Sequence, residues 1–236
     1  MRKILIAIAF AWSASAGMLV TRDNGTHVSI DGENVRIDRV ETPPILCNVV
    51  ISRDGGKTST CLNTELQTWF ESEGKYEVMG SIRFGLTLRE SKVVKPKVET
   101  HDEPGDEIAG HATEKHVIRL SYNLIETYGD TDVRQTISAT ILVWTAPDIS
   151  PIPMRGGVST GFREVNALLA PIFDAFKGMI VKQTLSVTAM YEGGKPFNDT
   201  HSWTTESIET KSFASSIFDV PKDYRHQFPQ IGAPGR

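Results

Sequence analysis

Only two cysteines occur in the 236 residues, and no eighteen consecutive residues are apolar. The second absence excludes a transmembrane helix, because a bilayer core needs about twenty apolar residues in a row. Also missing are a Walker loop, a dinucleotide-binding glycine fingerprint, a CxxC pair and an HExxH helix. Nucleotide, thiol-redox and zinc-protease chemistry therefore find no motif here. There is no excess of positive charge: 25 Lys and Arg stand against 29 Asp and Glu, a formal charge of −4. That balance disfavours nucleic acid as a partner and supplies no attraction to an anionic membrane surface. Carboxylates are abundant, yet no spacing pairs two of them for acid–base work. The expectation is no cofactor and no metal. Oligomeric state leaves no mark in the sequence.

What is present begins with an address. Arg2 and Lys3 form a positive n-region, Ile4 to Trp12 an apolar h-region, and Ala14-Ser15-Ala16 a small-x-small cleavage signature. Together these read as a secretory signal peptide, residues 1–16, with Gly17 as the mature N-terminus. The first cysteine beyond it is Cys47, so a lipid anchor at the cleavage point is not expected. The expected location is periplasmic or extracellular, with the chain soluble after cleavage. Residues 17–236 read as one domain, large enough to bury a substantial core. Without Arg2 and Lys3, 23 basic residues face 29 acidic ones, a formal charge of −6. At 39% hydrophobic and 23% charged residues, the composition is that of a folded domain.

Cys47 and Cys61 flank Arg53-Asp54-Gly55-Gly56-Lys57, a turn signal rich in residues that accept positive φ. Folding the chain about Asp54 sets the two cysteines opposite each other. In an oxidising compartment they should form a structural disulfide that protects an N-terminal edge hairpin from fraying.

Beyond the hairpin, period-two alternation dominates the chain. His116, Ile118, Leu120, Tyr122 and Leu124 share one face of Lys115–Ile125. Val133, Ile137, Ala139, Ile141 and Val143 do so in Val133–Trp144, and Met179, Val181, Leu185, Val187, Ala189 and Tyr191 in Met179–Tyr191. Gly129-Asp130 reads as the turn joining the first two. Shorter strands are expected at His27–Asp31, Asn34–Val40, Thr68–Glu71, Lys75–Leu88 and Trp203–Thr210. One helix stands out, Phe162–Lys177. Phe162, Val165, Leu168, Leu169, Ile172, Phe173 and Phe176 recur at helical spacing, Ser159 or Thr160 can cap it, and Gly178 can stop it. Pro171 should kink it or start a second short helix. Thr100–Gly110 and Asp148–Gly157 read as connections.

Gly157-Val158-Ser159-Thr160-Gly161 spells the G-x-S-x-G of a hydrolase nucleophile elbow, and His201 or His226 could serve as base. A loop precedes it instead of a buried strand, which favours helix capping over catalysis. His111 and His116, five apart, point to opposite faces of a strand and cannot share a metal. His101, Asp102, Glu103, Asp106 and Glu107 lack EF-hand spacing and read as a solvated acidic loop. Trp69, Trp144 and Trp203 are expected as anchors on sheet faces.

Several segments resemble an uncharacterised bacterial secreted family whose half-barrel is similar to the lipoprotein carriers LolA and LolB. They are Asn34-Val35-Arg36-Ile37-Asp38, Ile108–Thr113, Val143-Trp144-Thr145-Ala146-Pro147-Asp148, Gly178–Lys182 and the closing Phe218-x-x-Pro221-x-x-Tyr224. The resemblance implies a mainly β fold: a curved antiparallel sheet or half-open barrel with one helical segment packed on its concave face. Carriers of that shape hold acyl chains there. The Ser91–Gly110 stretch and the Cys47–Cys61 hairpin are departures from the carriers. The expected function is a non-enzymatic binding protein for a lipid, another hydrophobic ligand or an apolar partner segment, with Phe162, Val165, Leu169, Ile172, Phe173 and Phe176 as its apolar lid. The alternatives are a structural or protein-interaction domain with a filled core, and a serine hydrolase using Ser159.

Overall fold

A strand that alternates apolar and polar residues must bury one face and wet the other, so a chain built of such segments folds as a sheet around whatever covers its apolar side. The computed structural model describes residues 16–38, 47–73, 78–81, 91–128, 130–153, 157–160 and 162–227. In order they form β1 (Gly17–Arg22), β2 (His27–Asp31), β3 (Asn34–Asp38), β4 (Val49–Ser52), β5 (Thr58–Asn63), β6 (Thr68–Glu73), β7 (Val78–Ser81), β8 (Ser91–Pro104), β9 (Glu114–Tyr128) and β10 (Thr131–Ala146). Next come β11 (Gly157–Ser159), α1 (Arg163–Ala175), β12 (Met179–Tyr191), β13 (Pro196–Lys211) and β14 (Arg225–His226).

Twelve strands make one open, curved sheet in the order β14-β6-β5-β4-β3-β2-β1-β13-β12-β10-β9-β8. Its neighbours are antiparallel except for β14 beside β6. β7 and β11 form a separate parallel pair. The helix lies on the apolar inner face of β9, β10 and β12, as expected. Val165, Leu169 and Phe173 pack there against Ile118, Leu120, Tyr122, Leu124, Ile137, Ala139, Ile141, Leu185 and Val187.

A second core uses the same sheet from its other side. Trp144 pairs with Lys182 and Thr145 with Ile180, so Val181 is an extra residue in β12. Such a bulge bends the strand and changes which face its side chains serve. Beyond it, Met179 and Val181 leave the helix side and join Trp144 and Ala146 against Val20, Val28, Ile30, Val35, Ile37 and Val50. The alternation expected for β12 therefore holds from Leu185 to Ala189 but assigns Met179 and Val181 to the wrong core. Tyr191 is 45% exposed at the strand's end rather than buried.

β4 is buried throughout because both its faces are covered. Val50 enters the second core, while Val49 and Ile51 meet Leu62 and Phe218 in a third. The C-terminal segment supplies that cover. Arg36 Nη1 donates to the Ile217 carbonyl at 2.9 Å, and Arg53 pairs with Asp219 at 2.6 Å.

Several expectations need correction. Thr100–Gly110 is not wholly a connection: Thr100 to Pro104 complete the fourteen-residue strand β8. Polar side chains and proline fit there because β8 ends the sheet among the described residues and its side chains are largely exposed. α1 is one continuous helix through Pro171, slightly shorter than expected at both ends. β13 begins at Pro196, before Trp203, and β1 has no counterpart among the expected strands. Val78–Ser81 falls within the expected strand Lys75–Leu88, most of which lies outside the described residues, as do residues 1–15, Gly129 and the tail from Phe228.

The disulfide Cys47–Cys61 is present, with Cα atoms 5.3 Å apart, but not in the expected register. Val50, not Cys47, sits opposite Cys61, and Cys47 precedes β4. The hairpin is centred on Gly55-Gly56, whose φ values are 69° and 83°, instead of Asp54. Nor is it an edge, because β3 flanks β4 and β6 flanks β5.

Asp54 has a different task. Its carboxylate accepts from the Thr58 backbone N–H at 3.0 Å, the Thr58 hydroxyl at 2.7 Å and the Ser52 hydroxyl at 3.0 Å. These bonds, the Thr58 backbone first, hold its pKa at about 2, below the ordinary 3.8. A carboxyl depressed on folding stabilises above its unfolded pKa, and that contribution fades as pH falls through the folded value. The hairpin should therefore keep this latch at pH 4 and lose it toward pH 2. The Thr58 amide resonance should titrate with a midpoint near 2, and a midpoint near 4 would show that Asp54 does not hold the turn.

Candidate functional site

The six residues expected to form an apolar lid are together on α1 and its flanks. Val165, Leu169 and Phe173 are fully enclosed between helix and sheet, whereas Phe162, Ile172 and Phe176 are partly buried at its margin. Phe162 meets Tyr122 edge-on at 5.9 Å, and Phe176 meets Phe173 at 5.3 Å. Burial alone pushes the Tyr122 phenol up to about 12, so it stays neutral beneath the helix.

The ends of α1 are set by local chemistry. Its N-cap is Phe162, which offers no side-chain bond. Thr160 serves indirectly: its backbone N–H and its hydroxyl both donate to Asn166 Oδ1, at 2.9 and 2.8 Å. Ser159 belongs to β11, and the N-cap position falls three residues later. At the far end Gly178 takes φ 76°, and any side chain there would run into the Ala146 carbonyl. Glycine is required by both shape and conformation.

Beside Phe176 lies a constellation that the sequence did not disclose. His116 Nδ1 is 2.7 Å from Asp102 Oδ1, and its Nε2 is 3.0 Å from Thr145 Oγ1. The imidazole stacks on Phe176 at 4.2 Å with planes 20° apart. With Nδ1–H donated to the carboxylate, Nε2 accepts from the Thr145 hydroxyl. The connectivity is that of a carboxylate–imidazole–hydroxyl relay. The chemistry is not, because Thr145 has no exposed surface and offers no approach to a substrate. Its effect is mechanical: it fixes the ring on which the C-terminal end of α1 rests. Asp102 was the missing signal, hidden while Thr100–Gly110 read as a loop.

The remaining candidates are dispersed. His111 Nδ1 bonds Asp148 at 2.7 Å and holds that carboxyl below its usual range. Glu103 is likewise held low, by Lys115 and then His101. Among the described residues no three His, Cys, Asp or Glu side chains gather as a metal site. Ser159 lies in a short strand, His201 is engaged with Asp199 on β13, and His226 packs edge-on against Trp69. β11 ends at Ser159 and α1 begins at Arg163, so the G-x-S-x-G segment joins a short strand to the helix. Trp144 lies beneath Lys182, Trp203 beneath Arg22 and Trp69 beside His226, so they share no platform.

One groove of about 440 Å³ opens on the sheet face opposite α1. Ser121, Ser138, Thr140, Ser186 and Thr188 line it together with Lys97, Glu99, Arg119, Leu120 and Ala139. Hydroxyl and charged residues predominate in this lining, unlike the aliphatic and aromatic surface under the helix. No family model matches the chain, and no curated protein and no solved structure matches it either.

Leu169 is 1% exposed and Leu168, its neighbour on the helix, 40%. Leu169→Ala should destabilise the protein by about 2–5 kcal/mol. Leu168→Ala should change stability by less than about 0.5 kcal/mol. Equal denaturation midpoints for the two variants would show that α1 is not docked as described.

Proposed function

We propose that the chain works outside the cytoplasm as a non-enzymatic binding protein for a hydrophobic ligand or an apolar segment of a partner, with α1 as a displaceable cover. The observation that carries this reading is the way α1 sits. Three of its side chains close an otherwise continuous apolar face of β9, β10 and β12, while Phe162, Ile172 and Phe176 form a half-exposed apolar margin around it. A ligand that enters at the margin can replace helix contacts with its own. Two ties hold α1 at its ends, Thr160 to Asn166 and Phe176 on the His116 ring, and these are the contacts that part when it moves.

The extracytoplasmic part rests on the signal-peptide pattern of residues 1–16 and on two consistent features. β1 starts at Gly17, the expected mature N-terminus, and Cys47 is bonded to Cys61, as suits an oxidising compartment. No helix among the described residues is long and apolar enough to cross a membrane.

The rival is an interaction domain whose core is simply full, and the complete burial of Val165 and Leu169 favours it. Organic extraction of the purified protein, followed by mass spectrometry, separates the two. A binding protein should release a stoichiometric apolar compound, or once stripped should bind an apolar fluorophore saturably and lose it to fatty acid. Empty extracts with no saturable binding would leave the filled-core reading.

A further inference from the structure

Edge strands expose unpaired N–H and C=O groups, and proteins block them with prolines, bulges and charges unless the edge is used. Among the described residues β8 ends the sheet and pairs only with β9. Its N-terminal part is blocked. A bulge interrupts the ladder between Val94 and Lys97, Lys95 takes φ 53°, and Pro96 has no N–H to give. Pro104 blocks the other end. Residues 97–103 lie between, and their midpoint is Thr100.

The direction of the backbone in this window is settled by one bond. Gly105 N–H donates to the Thr113 carbonyl at 3.0 Å, in the same register as the β8–β9 ladder. In an antiparallel pair, bonded residues alternate along the strand. Glu103, His101, Glu99 and Lys97 therefore turn their backbone groups toward β9. Asp102, Thr100 and Val98 turn theirs outward, to the open edge.

Side chains then decide what this edge fits. Lys97, Glu99, His101 and Glu103 stand in a row on one face of the sheet, all at least 42% exposed. Laid antiparallel on itself about Thr100, the strand brings Lys97 opposite Glu103 and Glu99 opposite His101, each twice by symmetry. These would be the non-hydrogen-bonded positions, where facing side chains come closest. Centring one residue earlier sets Glu99 against itself, and one later sets Glu99 against Glu103. The prolines and the charges thus select the same centre independently.

We propose that β8 is a homotypic docking edge: two copies of this chain pair antiparallel through residues 97–103 about a two-fold axis at Thr100. Reciprocal backbone bonds form where Val98 meets Asp102 of the second copy and where the two Thr100 residues meet. One sheet then runs through both copies. The contact is a single strand wide, so the dimer is a concentration-dependent one.

Sedimentation equilibrium of the mature, disulfide-bonded chain tests this. The wild type should show a reversible monomer–dimer equilibrium that high salt weakens. Thr100→Pro removes an outward N–H at the centre and should leave a monomer with an unchanged circular dichroism spectrum. Lys97→Glu, an exposed change that tests the pairing if the proline variant misfolds, should weaken association roughly tenfold. Lys97→Glu combined with Glu103→Lys should restore it. A wild type that stays monomeric at its highest soluble concentration overturns the proposal. So does a dimer indifferent to Thr100→Pro and Lys97→Glu, or a charge swap that fails to restore association.

Discussion

One extra residue, Val181, lets a single sheet serve two cores, and most of the architecture depends on it. In a regular strand, residues two apart share a face. Without the bulge opposite Trp144, Met179 and Val181 would crowd onto the helix side with Leu185 and Val187, and the β1–β4 region would lose their apolar surface. The bulge turns the lower end of β12 so that Met179 and Val181 join Trp144 and Ala146, which β10's own alternation already directs there, as the floor of the second core. Strands that pass from one packed layer to another commonly do so at such bends.

The two cores divide the labour. The first carries the helix, and with it the apolar surface that a ligand would use. The second and third hold the N-terminal strands, which the Cys47–Cys61 bond and the C-terminal segment pin from both sides. Closing a loop of about fifteen residues is worth roughly 3 kcal/mol on the chain-entropy view, inside a sheet whose strands there are short. On the proposed reading, this half is the frame and the helix-covered half the part that opens. The His116 clamp lies on the inner face, where the cover's last aromatic residue, Phe176, rests.

Much of the first core was legible in the residues. Alternation located β9, β10 and most of β12, and helical spacing located α1 with its buried residues. The disulfide pair was legible too, but its register was not. Asp54-Gly55 and Gly55-Gly56 both signal a turn, and only the backbone shows that the pair of glycines is the centre. β8 was hidden because proline and acidic residues are poor strand formers, a preference that an edge in water overrides. With β8 went Asp102, and hence the His116 relay. The bulge itself leaves no trace in the sequence: Val181 is one more apolar residue in an alternating run. A bulge is defined by its partner strand, which no single segment reveals.

The most direct test of this account is insertion of one alanine between Trp144 and Thr145, opposite Val181, followed by hydrogen exchange at individual amides. The added residue gives Val181 a partner, restores a regular ladder between β10 and β12, and should send Val181 and Met179 to the helix side. Amides of β2 and β3 should then lose protection while those of Ile118–Leu124 in β9, in the helix-covered core, keep theirs. Val181→Ala, which keeps the bulge, should leave both regions protected. Unchanged protection of β2 and β3 in the insertion variant would contradict the claim that this single unpaired residue joins the two cores.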